Sequence, residues 1–330
     1  MTQYSSILPP INGTYCWLVT GAGGFIGSHL TEALLCMGQK VKGLDNFSTG
    51  YRKNIGMAAA ASGCPENFTL IEGSITDTET CREAMKGVDY VLHHAAFVSV
   101  PASMSDPSAC FRANASGFMN VLEAARLNGV KRVVYASSSA VYGDSEAMPQ
   151  SEPEIGKALS PYAMTKYINE MCAEFYARVY GLECTGLRYF NVFGSRQDPN
   201  GAYAAVIPRW INAVMSGKTP IIYGNGSATR DFCAVQNVVN ANILSAFTPE
   251  ASGKVFNIGC GVETSLNDLL SKIYVVFAPG NEAKALHEPP REGDILHSSA
   301  SIKYANEVLK YEPAVYLEDG LRIMREVMMS

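Results

Sequence analysis

The sequence predicts an α/β fold: a doubly wound parallel sheet followed by a smaller C-terminal α/β lobe. Three observations predict it. Short apolar runs alternate with longer helical patterns through the first half of the chain. A glycine-rich turn joins the first run to the first helical pattern. Beyond Arg188, glycine, proline and asparagine rise while the apolar runs shorten. Strand and helix in alternation build parallel sheets covered on both faces. The 330 residues also exceed what a single core usually serves.

Taken in order, residues 15–20, 41–44, 68–71, 90–93, 132–137 and 184–187 read as buried strands. Residues 24–37 read as a helix on which Ile26, Leu30 and Ala33 share a face, and which Gly38 can close. Ser160 and Pro161 supply a cap and a first-turn proline for a later helix. The first domain is placed at residues 1–188 and the second lobe at 189–330. Residues 254–258 are expected to return to the sheet region, with part of 232–260 packing back on the first domain.

Composition narrows the function. Hydrophobic residues make up 47% and charged residues 17%, as in an ordinary soluble globular enzyme. A net charge of −5 with no run of Lys and Arg argues against a nucleic-acid partner. Nine cysteines, an odd number with no Cys-x-x-Cys pair, suit a reducing cytoplasm. A leader with a basic start and an apolar run is missing, as is an apolar stretch of bilayer-spanning length, so no membrane is expected. The five histidines lack metal-ligand spacing, and no metal is expected.

The turn Gly21-Ala22-Gly23-Gly24-Phe25-Ile26-Gly27 lets the backbone approach a pyrophosphate. The helix that it opens adds N–H donors and the positive end of its dipole. Asp45 ends the next strand 18 positions after Gly27. A carboxylate there accepts from a ribose 2′-hydroxyl and repels a 2′-phosphate, so the expected cofactor is NAD rather than NADP. Tyr162 and Lys166, four apart, fall on one face of the helix that Ser160 opens. A free tyrosine has a pKa of about 10. A nearby ammonium and the positive ring of NAD are expected to favour the phenolate and make it a base. Ser137, Ser138 and Ser139 stand at the carboxyl end of a strand, where open α/β sheets bind ligands, and complete a Ser–Tyr–Lys set.

The spacing of Gly21, Gly24 and Gly27 resembles the extended short-chain dehydrogenase/reductase family, built on a Rossmann-type sheet. So do Asp45-Asn46-Phe47-Ser48-Thr49-Gly50, His94-Ala95-Ala96 and Asn114 within a helix. The resemblance implies that Asn46, Phe47, Ser48, Thr49 and Gly50 wrap the adenosine ribose and that Ser74 and Ile75 meet the adenine. It implies that Ala95 and Ala96 line the path from pyrophosphate to nicotinamide. Asn114, Ser137, Tyr189 and Val192 are implied to join the cofactor site beside Tyr162 and Lys166. Counting back from Val141-Tyr142-Gly143, it puts the catalytic serine at Ser138, with Ser139 the near alternative. Two features stand apart: Ser74 occupies a position where the family usually has Asp, and the stretch Ser139-Ala140-Val141 lacks the Asp-Glu pair of the family's 4,6-dehydratases.

Further on, the chain is similar to bacterial UDP-N-acetylglucosamine 4-epimerases. The similarity runs through Arg188-Tyr189-Phe190-Asn191-Val192-Phe193-Gly194, residues 197–208, Thr229-Arg230-Asp231-Phe232 and Arg291-Glu292-Gly293-Asp294. It implies that Arg230 and Arg291 clamp a UDP diphosphate through charge-assisted hydrogen bonds. Asn191 is implied to bind a phosphate or hexose oxygen, Asp294 the uridine ribose, and Ala205, Val206 and Tyr223 the uracil. Ser99, Ser138, Ser139 and Tyr162 would face the hexose. Ser298 stands where relatives restricted to UDP-glucose and UDP-galactose carry a bulky tyrosine, leaving room for a 2-acetamido group. Val98 and Ala102 depart from the subgroup's Gly and Arg. The expected activity is reversible C4 epimerisation of UDP-GlcNAc and UDP-GalNAc through a transient 4-keto sugar, with NAD kept on the enzyme. The rivals are a UDP-glucose/UDP-galactose or UDP-uronic-acid 4-epimerase and, more remotely, a non-catalytic NAD-binding regulator. A homodimer joined by helices around 107–128 and 161–180 is also implied.

Overall fold

The computed structural model describes residues 4, 7–199, 204–290 and 296–329. Its centre is a seven-stranded sheet, parallel throughout. The strands are β1 (Cys16–Thr20), β2 (Lys40–Asp45), β3 (Phe68–Glu72), β4 (Tyr90–His93), β5 (Arg132–Ser138), β6 (Glu183–Tyr189) and β7 (Lys254–Ile258), in the spatial order β7-β6-β5-β4-β1-β2-β3. The chain winds outward from β1 to β3, then crosses back to lay β4 on the other side of β1. A crevice therefore opens at the carboxyl ends of β1 and β4, where such sheets bind ligands. Thr20 pairs with Leu44 on one side and His93 on the other, which sets the turns after β1, β2 and β4 at one level.

The sheet carries helices on both faces, as its near-continuous apolar strands require. The helices are α1 (Phe25–Cys36), α2 (Arg52–Ser62), α3 (Thr78–Met85), α4 (Val100–Ser105), α5 (Pro107–Phe111), α6 (Gly117–Leu127), α7 (Pro161–Tyr180), α8 (Val206–Met215), α9 (Val235–Phe247), α10 (Leu266–Phe277), α11 (Lys303–Leu309) and α12 (Leu317–Met329). Alternation along β1 sorts its side chains. Trp17 and Val19 pack with Leu30 and Leu34 of α1, Val238 of α9 and Phe256 of β7. Leu18 packs on the opposite face with Phe118 and Leu122 of α6 and Ala173 and Tyr176 of α7. A separate core joins α8, α10 and α12 through Trp210, Ile211, Leu269, Ile273 and Leu321.

α7 begins as its sequence predicts, the Ser160 hydroxyl accepting from Ala163 N at 3.1 Å and Pro161 filling the first turn. It ends at Gly181, in the left-handed region at φ 69°. The sixth strand is longer than its apolar run. Arg188 and Tyr189 continue the ladder past Leu187, because the Arg188 charge meets Glu170 of α7 inside the protein. Strands of two or three residues, such as Ile221–Tyr223, Thr229–Arg230 and His297–Ser298, build the sheets of the second lobe. Among the described residues no helix is long and apolar enough to cross a membrane.

Candidate active site

The turn after β1 is as tight as its glycines allow. Gly21 N donates to Leu44 O at 2.8 Å and Gly24 N to Gly21 O at 3.0 Å. A Cβ at Gly27 would stand 2.0 Å from Gly21 O, and one at Gly21, where φ is +72°, only 2.7 Å from Ala95 N. Asp45 ties this turn to β2, accepting from Gly23 N at 2.8 Å and Phe47 N at 2.7 Å. Thr20 joins it to β4: its hydroxyl accepts from His94 N and Ala95 N, both at 3.1 Å, and bonds His93 Nδ1 at 2.8 Å.

Around these turns lies a cavity of about 900 Å3. Gly21, Gly24, Phe25, Ile26 and Gly27 line it, with Asp45, Asn46, Ser48, Thr49, Gly50, Ser74 and Ile75 towards one end. Ala95, Ala96, Ser137, Ser138, Tyr162, Lys166, Tyr189 and Val192 complete the predicted residues in its walls. A glycine turn opening a helix N-terminus, with a carboxylate at the end of the next strand, fits a dinucleotide. Two residues expected at the cofactor are placed otherwise. Phe47, at φ 54°, lies outside the cavity walls with the Arg52 guanidinium 4.3 Å above its ring. Asn114 sits in the π-helical turn Arg112–Ser116 between α5 and α6 and turns inward. Its amide clamps Phe97, accepting from N at 2.7 Å and donating to O at 3.0 Å, and also donates to Thr165 Oγ1.

Ser138, Tyr162 and Lys166 converge on this cavity from the end of β5 and the first turns of α7. Ser138 lines the cavity with Tyr162, its hydroxyl accepting from Ala140 N at 3.1 Å, while Ser139 begins a 3-10 turn away from the walls. Lys166 is buried, its ammonium donating to Ala136 O at 2.8 Å and lying 5.8 Å from the Tyr162 ring centroid. Burial pulls Lys166 down to about 8, opposed by the neighbouring Cys110 and Glu170. Tyr162 is buried as well. Burial raises its pKa, and the Ser138 hydroxyl opposes this. Desolvation disfavours the phenolate here, and a positive charge brought to the ring, such as that of NAD, would favour it.

The walls are braced by contacts that the sequence does not mark. His94 Nε2 meets Tyr189 Oη at 2.9 Å, and Asn242 donates to the same hydroxyl at 2.8 Å. Burial drives His94 down to about 3, so it stays neutral. The loop after Phe193 closes one side: Ser195 O bonds His29 Nε2 at 2.9 Å, Arg196 pairs with Glu32 of α1, and Asp198 accepts from the Tyr51 hydroxyl at 2.6 Å.

Ser138 and Tyr162 apart, the described residues expected at the sugar nucleotide fall outside the walls of this cavity. Ser99 caps α4, accepting from Ala102 N. Asn191, at φ 23°, donates to Asp231 O at 3.1 Å, beside Arg230. Ser298 pairs in register with Arg230 on adjacent strands and is 7% exposed. Ala205 and Val206 start α8, and Tyr223 ends the strand Ile221–Tyr223. Arg291 and Asp294 lie outside the described residues. Asp231, quoted in the motif but given no role by the sequence, orders this region by accepting from Cys260 N, Gly261 N and Ala300 N at 2.8, 2.9 and 3.2 Å.

Comparison with known proteins gives one consistent answer. The NAD dependent epimerase/dehydratase family matches residues 17–259. A UDP-glucose 4-epimerase of Mycolicibacterium smegmatis is 38% identical over 92% of this chain and 95% of its own. UDP-glucuronate 4-epimerase 4 of Arabidopsis thaliana is 34% identical over 92% of this chain and 73% of its own. A solved UDP-N-acetylglucosamine 4-epimerase of Methanobrevibacter ruminantium M1, in complex with UDP-N-acetylmuramic acid, superposes with a TM-score of 0.88. It is 36% identical, over 96% of this chain and 99% of its own. By its fold, its cradle and these matches, this chain belongs to the NAD dependent epimerase/dehydratase family, as an NAD-dependent isomerase of the UDP-sugar 4-epimerase class.

Proposed function

We propose that this chain inverts C4 of a UDP-linked N-acetylhexosamine, interconverting UDP-GlcNAc and UDP-GalNAc. Ser298 carries the reading: a small, nearly buried hydroxyl in register with Arg230 leaves space for, and can hydrogen-bond, a 2-acetamido group. Tyr162 takes the proton of the 4-hydroxyl while Ser138 hydrogen-bonds the same oxygen, and Lys166 holds a positive charge beside them. Gly21–Gly27, Asp45 and the loops around them would hold NAD, which supplies the oxidation at C4 and its reversal on the other face. Arg230 and Arg291 grip the diphosphate, so the sugar can turn about it. The protein contributes position and charge more than new chemistry.

Val98 favours a second reading. It is 62% exposed and lines the cavity, where its branched side chain narrows the room for a large sugar. NMR of the protein with UDP-GlcNAc and, separately, UDP-glucose, without added NAD, decides between them. Faster conversion of UDP-GlcNAc supports the acetamido reading and a retained cofactor. Conversion of UDP-glucose alone makes the chain a UDP-glucose 4-epimerase, and conversion of neither sends the search to UDP-uronic acids.

The same reading extends to assembly and compartment. Met164, Tyr167, Met171 and Phe175 form an exposed apolar stripe at helical spacing along α7. It suits a homodimer, for which sedimentation is the test. All nine cysteines are free thiols, which suits a reducing cytoplasm.

A further inference from the structure

One buried carboxylate near the catalytic set is not used by the chemistry above. Glu170 lies on α7, four residues beyond Lys166, and is 6% exposed. The Ser137 hydroxyl donates to its Oε1 at 2.5 Å. Arg188 of β6 grips both oxygens, Nε to Oε1 at 2.9 Å and Nη2 to Oε2 at 2.7 Å. The remaining Nη1 donates to Tyr142 Oη at 3.0 Å and Glu152 O at 2.8 Å. One turn earlier on α7, Lys166 donates to Ala136 O. The end of β5 is thus fastened to α7 at two successive residues, Ala136 and Ser137, immediately before Ser138.

We infer that Glu170 and Arg188 are a charge-balanced positioning pair, which fixes Ser138 against Tyr162 and Lys166 and sets the charge that Lys166 feels. This deepens the proposed function and rests on it. A buried ion pair is weak evidence for stability, since desolvation offsets its attraction. Its effect on neighbours is another matter, because a low-dielectric interior transmits an unbalanced charge strongly. The groups facing Lys166 are Tyr162 and Glu170 on α7, Cys110 on α5, and His93 and His94 around the end of β4. Both histidines are held neutral by burial. Glu170 in turn faces Arg188 on β6 and Ser137 and Tyr135 on β5. It is the carboxylate that resists the downward pull of burial on Lys166.

The two partners therefore have opposite signatures. Catalysis needs the Lys166 cation, so turnover falls as pH rises through its titration. Glu170→Gln leaves the Arg188 charge unbalanced, moves that alkaline limb to lower pH and cuts kcat at pH 8 about tenfold, with KM little changed. Arg188→Gln leaves the Glu170 charge unbalanced and moves the limb to higher pH. The double variant removes both charges and returns the limb close to its starting point; it also serves where a single variant folds poorly. The same titration is read without substrate from the 13Cε resonance of Lys166 in lysine-labelled protein. Folded variants whose limbs and Lys166 resonance stay put, or move in one direction, overturn the inference and leave the pair a structural tie. If the unaltered protein turns over no UDP-sugar, the functional reading fails instead, and the Lys166 resonance alone decides the fate of the pair.

Discussion

The Cβ that Gly27 lacks decides how close a phosphate can come. An alanine there would drive its methyl into the Gly21 carbonyl, so the turn must open or α1 must shift. Gly27→Ala is expected to lower stability by about 1–3 kcal/mol, the usual cost of overpacking, and to reduce the NAD retained on purification. Thermal melts and the absorbance ratio of the purified protein measure the two effects. The glycine turn, Asp45 and the Tyr162–Lys166 spacing were legible in the sequence because each is local: a few adjacent residues do the work. Glu170–Arg188, Arg196–Glu32 and Asn242–Tyr189 were not, because their partners are 18, 164 and 53 positions apart and meet only once the sheet is built. The burial of the Tyr162 phenol was hidden for a related reason. Spacing shows that a lysine is near, but not how thoroughly the phenol is desolvated.

At the level of elements, buried strands announce themselves as apolar runs, and all seven strands of the central sheet begin within one residue of such a run. Their ends are less legible, as β6 shows, since a charged residue extends a ladder when a partner waits for it. The two-residue strands of the second lobe are defined by backbone pairing alone, so no side-chain pattern marks them. The break of the helix between α5 and α6 into a π-helical turn was equally hidden, although it is what turns Asn114 towards Phe97. α7 carries Tyr162 and Lys166 in its first two turns, so its capping bears on catalysis as well as stability. Ser160→Ala removes the acceptor for Ala163 N and is expected to cost about 1 kcal/mol. Fraying of that turn should lower kcat more than it raises KM, as denaturant melts and steady-state kinetics would show.

For the whole molecule, the cofactor cavity is closed by a strap from the second half of the chain. Ser195, Arg196 and Asp198 fasten it to His29, Glu32 and Tyr51. The first two fastenings are buried, and the Tyr51–Asp198 bond is exposed at the rim. Tyr51→Phe should therefore release NAD severalfold faster while leaving kcat unchanged at saturating cofactor. The NAD remaining after gel filtration measures this, and unaltered retention would assign the closure to the buried fastenings alone.

The seventh strand has a consequence for how the protein is made. β7 lies 65 positions beyond the end of β6, yet it pairs with that strand residue for residue, from Lys254 opposite Thr185 to Ile258 opposite Tyr189. During synthesis the first six strands leave the ribosome before their outer neighbour exists, so the backbone donors and acceptors on the outer edge of β6 wait unpaired. A chain halted after Tyr189 would keep the glycine turn, Tyr162 and Lys166, but would present a raw edge and an uncovered Leu187. Such a fragment should aggregate rather than fold, and the nascent enzyme should need shielding until the strand that completes its sheet arrives.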